Sequence, residues 1–149
     1  MHYRVKGALI RSENAAKPMA DAAAPLVDWL LQRPRTKSAL DYGCGKLRYT
    51  PHVAARSRHL GIVDSAEQLD RVQRIDGGEA TVREHAGGKW PGCRIYDLTQ
   101  FWKGISHSYG FILCANVLSA IPCPKVRARS LRSIRHALTP RGTVLVVRM

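Results

Sequence analysis

The chain has 149 residues, a length that fits one domain around a single hydrophobic core. No segment approaches the roughly 18 consecutive apolar residues of a membrane-spanning helix, and the N-terminus lacks the apolar run of a secretory signal. The sequence therefore predicts a cytoplasmic protein without a membrane partner. Twenty-four Lys and Arg against eleven Asp and Glu give a net charge of +13. This excess favours polyanionic partners such as nucleic acid. Alternatively, the basic residues are spread over a solvated surface and have no such partner.

The four cysteines do not have the spacing of a metal site or of a redox pair. They form no C-x-x-C motif and no zinc-type spacing with histidine, so we predict no metal and a reducing compartment. Cys114 lies in an apolar run and is predicted to be a core residue. The cysteines are Cys44, Cys93, Cys114 and Cys123.

The N-terminal region is predicted to form an arm and a helix (residues 1–36) that pack on a core of residues 37–149, within a single domain. The first 14 residues predict a short strand or a basic arm. Residues 18–32 have a helical pattern, and Pro25 inside it marks a kink or a restart. The predicted inward face comprises Ala22, Leu26, Trp29 and Leu30.

Beyond this helix, short apolar segments alternate with helical ones. Five strands are predicted at "SALDY", "HLGIVD", "CRIYDL", "YGFILCANVL" and "TVLVVRM". Helices are predicted at residues 47–56 with Thr50 as N-cap, and at residues 65–74 with Ser65 as N-cap; the glycine-rich residues 77–91 are not assigned. This alternation predicts an α/β fold with a mostly parallel, Rossmann-like sheet and helices on both faces.

The last predicted helix, residues 125–138, is amphipathic and basic. Its outer face is predicted to contact phosphates or, alternatively, to be a solvated helix exterior. The segment "TPRG" is predicted to separate it from the fifth strand. Its basic residues are Lys125, Arg127, Arg129, Arg132 and Arg135, and its inward residues are Val126, Ser130, Leu131, Ile134 and Leu138.

Acidic residues end three of the predicted strands. Asp41 can accept hydrogen bonds from an ammonium group, directly or through water. Asp64, 23 residues later, suits the two hydroxyls of a ribose. Asp97 is placed to reach an adenine amino group, with Leu98 as its apolar neighbour. Because ligands of parallel sheets bind at the carboxyl ends of the strands, we predict one crevice there, although each acid alone is also compatible with a helix cap or a solvated strand end.

The turn after the first strand, "ALDYGCGKLR", contains two glycines that allow the backbone to turn tightly and approach a ligand. Leu47 stands where a third glycine is expected, and it is predicted either to crowd the ligand or to pack beneath the following helix. A nicotinamide-dependent oxidoreductase on the same sheet is disfavoured, because its G-x-G-x-x-G pattern requires glycine where the chain has Arg48.

In order, these segments resemble the class I S-adenosylmethionine-dependent methyltransferases over residues 38–147. "ALDYGCGK" resembles their first motif, "GIVDSAEQLDR" the ribose-binding motif, "YDL" the third and "YGFILCANVLSAI" the fourth. "LRSIRHALTPRGTVLVV" is similar to the helix, turn and fifth strand that close their core. The resemblance implies S-adenosylmethionine as cofactor and methyl transfer as the reaction.

The resemblance also implies a role for each site residue. Two residues at the fourth strand would lie beneath the sulfonium, and Asn116 would position the acceptor with its carbonyl oxygen or, alternatively, is a satisfied strand-end amide. The methionine moiety would contact Asp41, Gly43, Cys44 and Gly45; the ribose Asp64 and Ser65; the adenine Asp97 and Leu98; and the sulfonium Asn116 and Val117.

Two motifs of nucleic-acid methyltransferases are missing. There is no Asn/Asp-Pro-Pro-aromatic tetrad, and the residues around Pro122-Cys123 do not match a cytosine-C5 nucleophile motif. The methyl acceptor stays unresolved. The excess of basic over acidic residues favours nucleic acid or a nucleic-acid-associated substrate. The alternative is a non-catalytic S-adenosylmethionine-binding or scaffold subunit that works with a partner.

The fifth predicted strand is apolar and is the last element of the sequence. Members of the resembled family continue into an antiparallel hairpin that completes the sheet. An exposed apolar edge strand tends to be covered. We therefore expect either a truncated product or a homo- or hetero-oligomer in which a partner subunit covers this edge.

Overall fold

A computed structural model describes residues 2–5, 8–11 and 16–148 of the chain. The N-terminal half contains β1 (His2–Val5), β2 (Ala8–Arg11), α1 (Ala24–Gln32), β3 (Thr36–Tyr42), α2 (Thr50–Ala54), β4 (Ser57–Asp64) and α3 (Ala66–Asp70). The C-terminal half contains β5 (Gln73–Ile75), β6 (Gly78–Ala80), α4 (Val82–Lys89), β7 (Arg94–Asp97), α5 (Leu98–Lys103), β8 (Tyr109–Ala115), α6 (Val117–Ala120), α7 (Pro124–Ala137) and β9 (Leu138–Val147).

The five predicted strands form one sheet in the order β7-β4-β3-β8-β9. Every pairing in this sheet is parallel, so the predicted α/β fold with a parallel sheet is confirmed. β1 and β2 form a separate antiparallel pair, as do β5 and β6. The strand order reverses between β3 and β8, the point at which α/β sheets bind ligands.

Helices cover both faces of the sheet. Successive strand residues point to opposite faces, and each face contributes to its own hydrophobic core. Ala39 of β3 belongs to the core formed with α1 to α4, whereas its neighbour Leu40 belongs to the core formed with α5 to α7. Leu113 and Cys114 of β8 divide in the same way, and Cys114 is fully buried, as predicted. Both faces are therefore apolar, as expected of a parallel sheet. No helix in the described part of the chain is long and apolar enough to cross a bilayer.

Two helical faces differ from the prediction. Pro25 lies in the first turn of α1, so the helix restarts there, and Leu26 and Leu30 are its buried residues. Trp29, predicted to face inward, is 45% exposed at the border of that face, with its ring 6.0 Å from the ring of Phe111. On α7, Leu131 is 43% exposed, because the buried residues follow the helical row of Ser130, Ile134 and Ala137.

The predicted break between α7 and the last strand is also different. α7 ends at Ala137, and β9 begins at the next residue without a loop. Leu138 pairs with Tyr109 and Thr143 with Phe111, so the "TPRG" segment forms an irregularity inside β9. β9 lies at one edge of the sheet, beside β8; its coverage by a partner subunit stays a prediction.

Candidate functional site

An open cleft lies at the carboxyl ends of β3, β4 and β8. The structure brings nine of the ten predicted cofactor-binding residues together in its wall: Asp41, Gly43, Cys44, Gly45, Asp64, Ser65, Leu98, Asn116 and Val117.

Asp97 is the predicted site residue that does not line this cleft. Its Oδ1 accepts a hydrogen bond from the Gln100 backbone N–H at 2.8 Å, and the Gln100 side chain accepts one from the Asp97 N–H at 3.0 Å. This reciprocal pair is a capping box at the start of α5. The next residue, Leu98, does line the cleft. The predicted contact of Asp97 with adenine stays a prediction.

The glycine turn after β3 requires glycine at Gly43. Its φ is +78°, a conformation that side chains rarely adopt. Its N–H donates to the carbonyl of Val63 at 2.7 Å, which ties the turn to β4. A Cβ at this position would overlap Cγ2 of Val117, which packs directly against the glycine. Gly45 also has a positive φ of +55°, but its Cβ would meet only Ala16, at 3.4 Å.

Leu47 packs in the core and does not line the cleft, so the second of the two predicted placements is correct. Its side chain is fully buried in the core beneath α1 to α4. Its φ is +64°, and its N–H donates to the carbonyl of Cys44 at 2.8 Å. A left-handed conformation costs a residue with a Cβ about 1–2 kcal/mol. Leu47 thus stands at the third glycine position of the motif with a strained backbone, and the burial of its side chain in the core compensates for this strain.

We expect Leu47→Gly to lower the free energy of unfolding by less than Leu47→Ala. Both variants lose the buried side chain, which costs roughly 2–5 kcal/mol, but glycine relieves the strain at φ +64°. Urea unfolding of the two variants tests this order. A glycine variant less stable than the alanine variant would contradict the left-handed conformation, and both should keep the ligand affinity of the parent because Leu47 lies outside the cleft.

Asp64 joins the tip of β4 to the glycine turn. Its Oδ2 accepts from the Gly45 N–H at 2.8 Å, and its Oδ1 accepts from the Ser65 N–H at 2.7 Å. Ser65 caps α3, as predicted, by accepting from the Gln68 N–H. The Gln68 side chain donates to the carbonyl of Gly45 at 2.8 Å. The carboxylate is thus held in a fixed orientation at the cleft.

Asp41 is a buried carboxyl at the base of the cleft, with 3% of its surface exposed. The hydroxyl of Thr50 donates to its Oδ2 at 2.6 Å. Thr50 was predicted to cap α2, but it is the first residue of that helix and its hydroxyl serves Asp41 instead. Burial raises the pKa of Asp41 to about 7, and the charge of nearby Asp64 adds to the effect, against the lowering by Thr50 and Arg48.

Asn116 and Val117 lie just beyond the end of β8. Asn116 has a φ of +61°, which asparagine tolerates better than most residues. Its N–H donates to the carbonyl of Val147 at 2.8 Å, so this bend is held by β9. Its side chain does not cap α6, and the predicted positioning role stays a prediction.

Cys44 lines the cleft as a buried thiol. Burial, with the charges of Asp64 and Asp41, raises its pKa well above the ordinary value. The thiol therefore keeps its proton at neutral pH and is a weak nucleophile. Cys123, which precedes α7, does not line the cleft.

Three basic residues in the cleft wall were not predicted as site residues. Lys46 and Arg48 belong to the glycine turn itself, and Lys17 comes from the segment before α1. The guanidinium of Arg48 lies 4.7 Å from the ring centroid of Tyr49. Lys46 and Arg48 could have been predicted as site residues, because they lie within the predicted glycine turn. Nothing in the local sequence indicates that Lys17 folds back onto this turn.

Two relatives are similar in sequence, while no model of a known protein family matches the chain. The uncharacterized protein YmfD of Escherichia coli K12 is 34% identical over 147 residues, covering 99% of this chain and 66% of that protein. The probable methyltransferase ltbC of Aspergillus luteorubrus is 27% identical over 114 residues, covering 72% of this chain and 38% of that protein. The chain thus spans less than two thirds of either relative.

Solved structures with the same fold include two methyltransferases. The N-methyltransferase NodS of Bradyrhizobium japonicum WM9, in complex with S-adenosyl-L-homocysteine, matches with a TM-score of 0.63 and 15% identity, over 82% of this chain and 58% of NodS. CalS10 of Micromonospora echinaspora, an amino pentose methyltransferase with bound S-adenosylmethionine, matches with a TM-score of 0.62 and 16% identity, over 96% of this chain and 58% of CalS10.

Proposed function

Because the chain has the fold of the class I S-adenosylmethionine-dependent methyltransferases, we propose that it binds S-adenosylmethionine in the cleft and transfers its methyl group. The observation that carries this proposal is the position of Asp41, the glycine turn, Asp64 and Asn116 around one cleft at the switch in strand order. These side chains come from three different strands and converge only in the folded chain.

The groups in the cleft fit the chemistry of this cofactor. The Asp41 carboxyl suits an ammonium group, and Asp64 can accept hydrogen bonds from two hydroxyls of a ribose. The basic side chains of the wall suit a carboxylate, and apolar side chains suit the adenine and the carbons near sulfur. The apolar wall comprises Leu98, Val117, Ala120 and Ile121.

The chain would promote the reaction by positioning the methyl donor and the acceptor relative to each other. When bound, S-adenosylmethionine supplies an electrophilic methyl group on a positively charged sulfur. The glycine turn and Asp64 hold the ligand at the tips of β3 and β4, and Asn116 at the tip of β8 orients the acceptor. Fixing both reactants in line lowers the entropic part of the barrier. A dedicated base is not required where the acceptor is a neutral amine, whose nitrogen attacks through its lone pair and releases its proton to water after the transfer.

The cofactor assignment is tested by calorimetry with S-adenosylmethionine and S-adenosylhomocysteine. We expect Asp64→Ala to weaken binding of both by tenfold or more, because two hydrogen bonds to a charged acceptor are lost, each contributing about 1.5–3 kcal/mol. Arg58→Ala is a matched control, since Arg58 is exposed at the opposite end of β4. A parent that binds neither ligand would refute the assignment. Transfer of labelled methyl to RNA, DNA or cell extract then tests whether the chain is catalytic or a non-catalytic binding subunit.

For the acceptor we propose nucleic acid or a nucleic-acid-associated substrate, supported by the charge of α7. The helix contains no acidic residue, and its exposed face carries Lys125, Arg129, Arg132 and Arg135. At its N-terminal end, Arg127 donates to the carbonyl of Ile121 at 2.7 Å. Since Ile121 lines the cleft, the basic face begins beside the cleft.

A charge-matched pair of triple variants tests this acceptor class. If α7 contacts phosphates, replacing Arg129, Arg132 and Arg135 by Gln should reduce the salt dependence of single-stranded RNA binding, with a slope in log K against log salt smaller by about 2. Replacing Arg58, Arg74 and Arg94, which are exposed elsewhere, removes the same charge and should change the slope less. Equal effects of the two triple variants on fluorescence anisotropy would mean that the net charge alone attracts RNA.

A further inference from the structure

The cleft contains more positive charge than its own acidic residues neutralise. Lys46 and Arg48 are half-buried in the glycine turn, and Lys17, which is exposed, lines the cleft from the segment before α1. Arg48 is packed on the ring of Tyr49 at 4.7 Å, which fixes its guanidinium against the cleft wall. Three cations therefore line the cleft.

The two carboxyl groups of the cleft each accept hydrogen bonds from the chain itself. Both oxygens of Asp64 accept backbone N–H groups. Asp41 accepts from Thr50, and its pKa of about 7 leaves it partly neutral near neutral pH. Arg48 is close enough to lower that pKa, yet among the residues that the structure describes, none of the three cations forms an ion pair with an acidic residue.

We propose that the methyl acceptor carries an anionic group, a phosphate or a carboxylate, which these cations hold beside the transferred methyl. The inference rests on the proposed function, because S-adenosylmethionine brings one carboxylate together with an ammonium and a sulfonium. One of the three cations can pair with that carboxylate, and the other two then lie unpaired beside a positively charged sulfur. An anionic group on the acceptor would pair with these two cations.

The geometry of the side chains suits a polyatomic anion. A guanidinium presents parallel N–H donors that match two oxygens of a phosphate or carboxylate, and lysine adds a mobile charge. Lys46 and Arg48 line the same cleft as Asn116, which follows the neighbouring strand β8. The anionic group would thus be bound in the same cleft as the residue that is proposed to orient the acceptor.

The test is calorimetric titration of the protein saturated with S-adenosylhomocysteine, using inorganic phosphate and, separately, benzoate at constant ionic strength. The variants are Lys17→Met, Lys46→Met and Arg48→Met, and Arg58→Met is the control. We expect one of the three to lower S-adenosylhomocysteine affinity, and the other two to lower anion affinity by about tenfold each. Arg58→Met should change neither affinity, since Arg58 lies about 20 Å from Asp64 along β4.

The outcomes distinguish a phosphate from a carboxylate on the acceptor. They also distinguish failure of this inference from failure of the proposed function. Binding of phosphate alone identifies a phosphorylated acceptor, and binding of benzoate alone identifies a carboxylate acceptor. If the loaded parent binds neither anion, or if the three variants leave anion affinity unchanged, the inference is wrong while the proposed function stands. A parent that does not bind S-adenosylhomocysteine contradicts the proposed function and the inference with it.

Discussion

Gly43→Ala is expected to lower the free energy of unfolding by roughly 2–5 kcal/mol and to abolish measurable binding of S-adenosylhomocysteine. The added Cβ would overlap Cγ2 of Val117, and the residue would have to keep a φ of +78°. Either the turn or the β8–α6 junction must then move. Both lie in the wall of the cleft, so the same displacement affects stability and binding. Urea unfolding and calorimetry measure the two effects.

Two further variants separate the clash from the backbone strain. Gly45→Ala also places alanine at a positive φ, but its Cβ makes an ordinary contact with Ala16, so it should cost only the conformational term of about 1–2 kcal/mol. Adding Val117→Ala to Gly43→Ala should recover part of the lost stability. If Gly43→Ala and Gly45→Ala cost the same, Val117 does not constrain the turn.

The site could be predicted from sequence where each residue is positioned by its own strand. Asp41 and Asp64 end buried strands, and in a parallel sheet the ends of neighbouring strands meet at one edge. The glycine turn was recognisable because two glycines directly follow a strand. The start of α4 also had a usable signal, since Thr81 and Glu84 form a capping box. The glycines inside that helix, Gly87 and Gly88, hide its pattern.

The remaining features depend on contacts between distant parts of the chain. The hydroxyl of Thr50 could equally cap a helix or bond to a carboxyl, and only the packing of α2 against β3 selects Asp41. Leu47 occupies a glycine position because the core beneath it accepts a leucine, which no local pattern reveals. Lys17 reaches the cleft only because the segment before α1 lies beside Gly45. In each case tertiary packing decides between local alternatives.

Asp41→Asn is expected to stabilise the free protein above pH 7 while weakening binding of the cofactor. The pKa of Asp41 is about 7 in the folded protein and near 3.8 when unfolded. Between these values the folded state holds a proton that the unfolded state has released, so the free energy of unfolding falls as pH rises. The contribution is fully present below about pH 4 and is lost through pH 7, on the order of 4 kcal/mol in total.

The asparagine variant removes this titration but keeps the buried contact. Thr50 can donate to the amide oxygen as it does to Oδ2, so the variant and the parent should be similarly stable at pH 4 and diverge steadily towards pH 8. Thr50→Val is the control, because losing a donor that lowers the folded-state pKa of Asp41 extends the decline to higher pH while its start near pH 4 stays the same. Parallel stability curves for the parent and Asp41→Asn would show that Asp41 titrates normally.

The buried carboxyl of Asp41 destabilises the free protein at high pH, but it has a role in binding the ligand. A bound ammonium stabilises the ionised form of Asp41, so part of the binding energy is used to remove its proton below pH 7. Affinity of the parent for S-adenosylhomocysteine should therefore rise with pH through about 7, the pKa of Asp41. Asp41→Asn should bind about 10- to 100-fold more weakly at pH 8, without this rise, because a charge-assisted hydrogen bond is replaced by a neutral one. Equal affinity in the two proteins at pH 8 would place the ammonium elsewhere in the cleft.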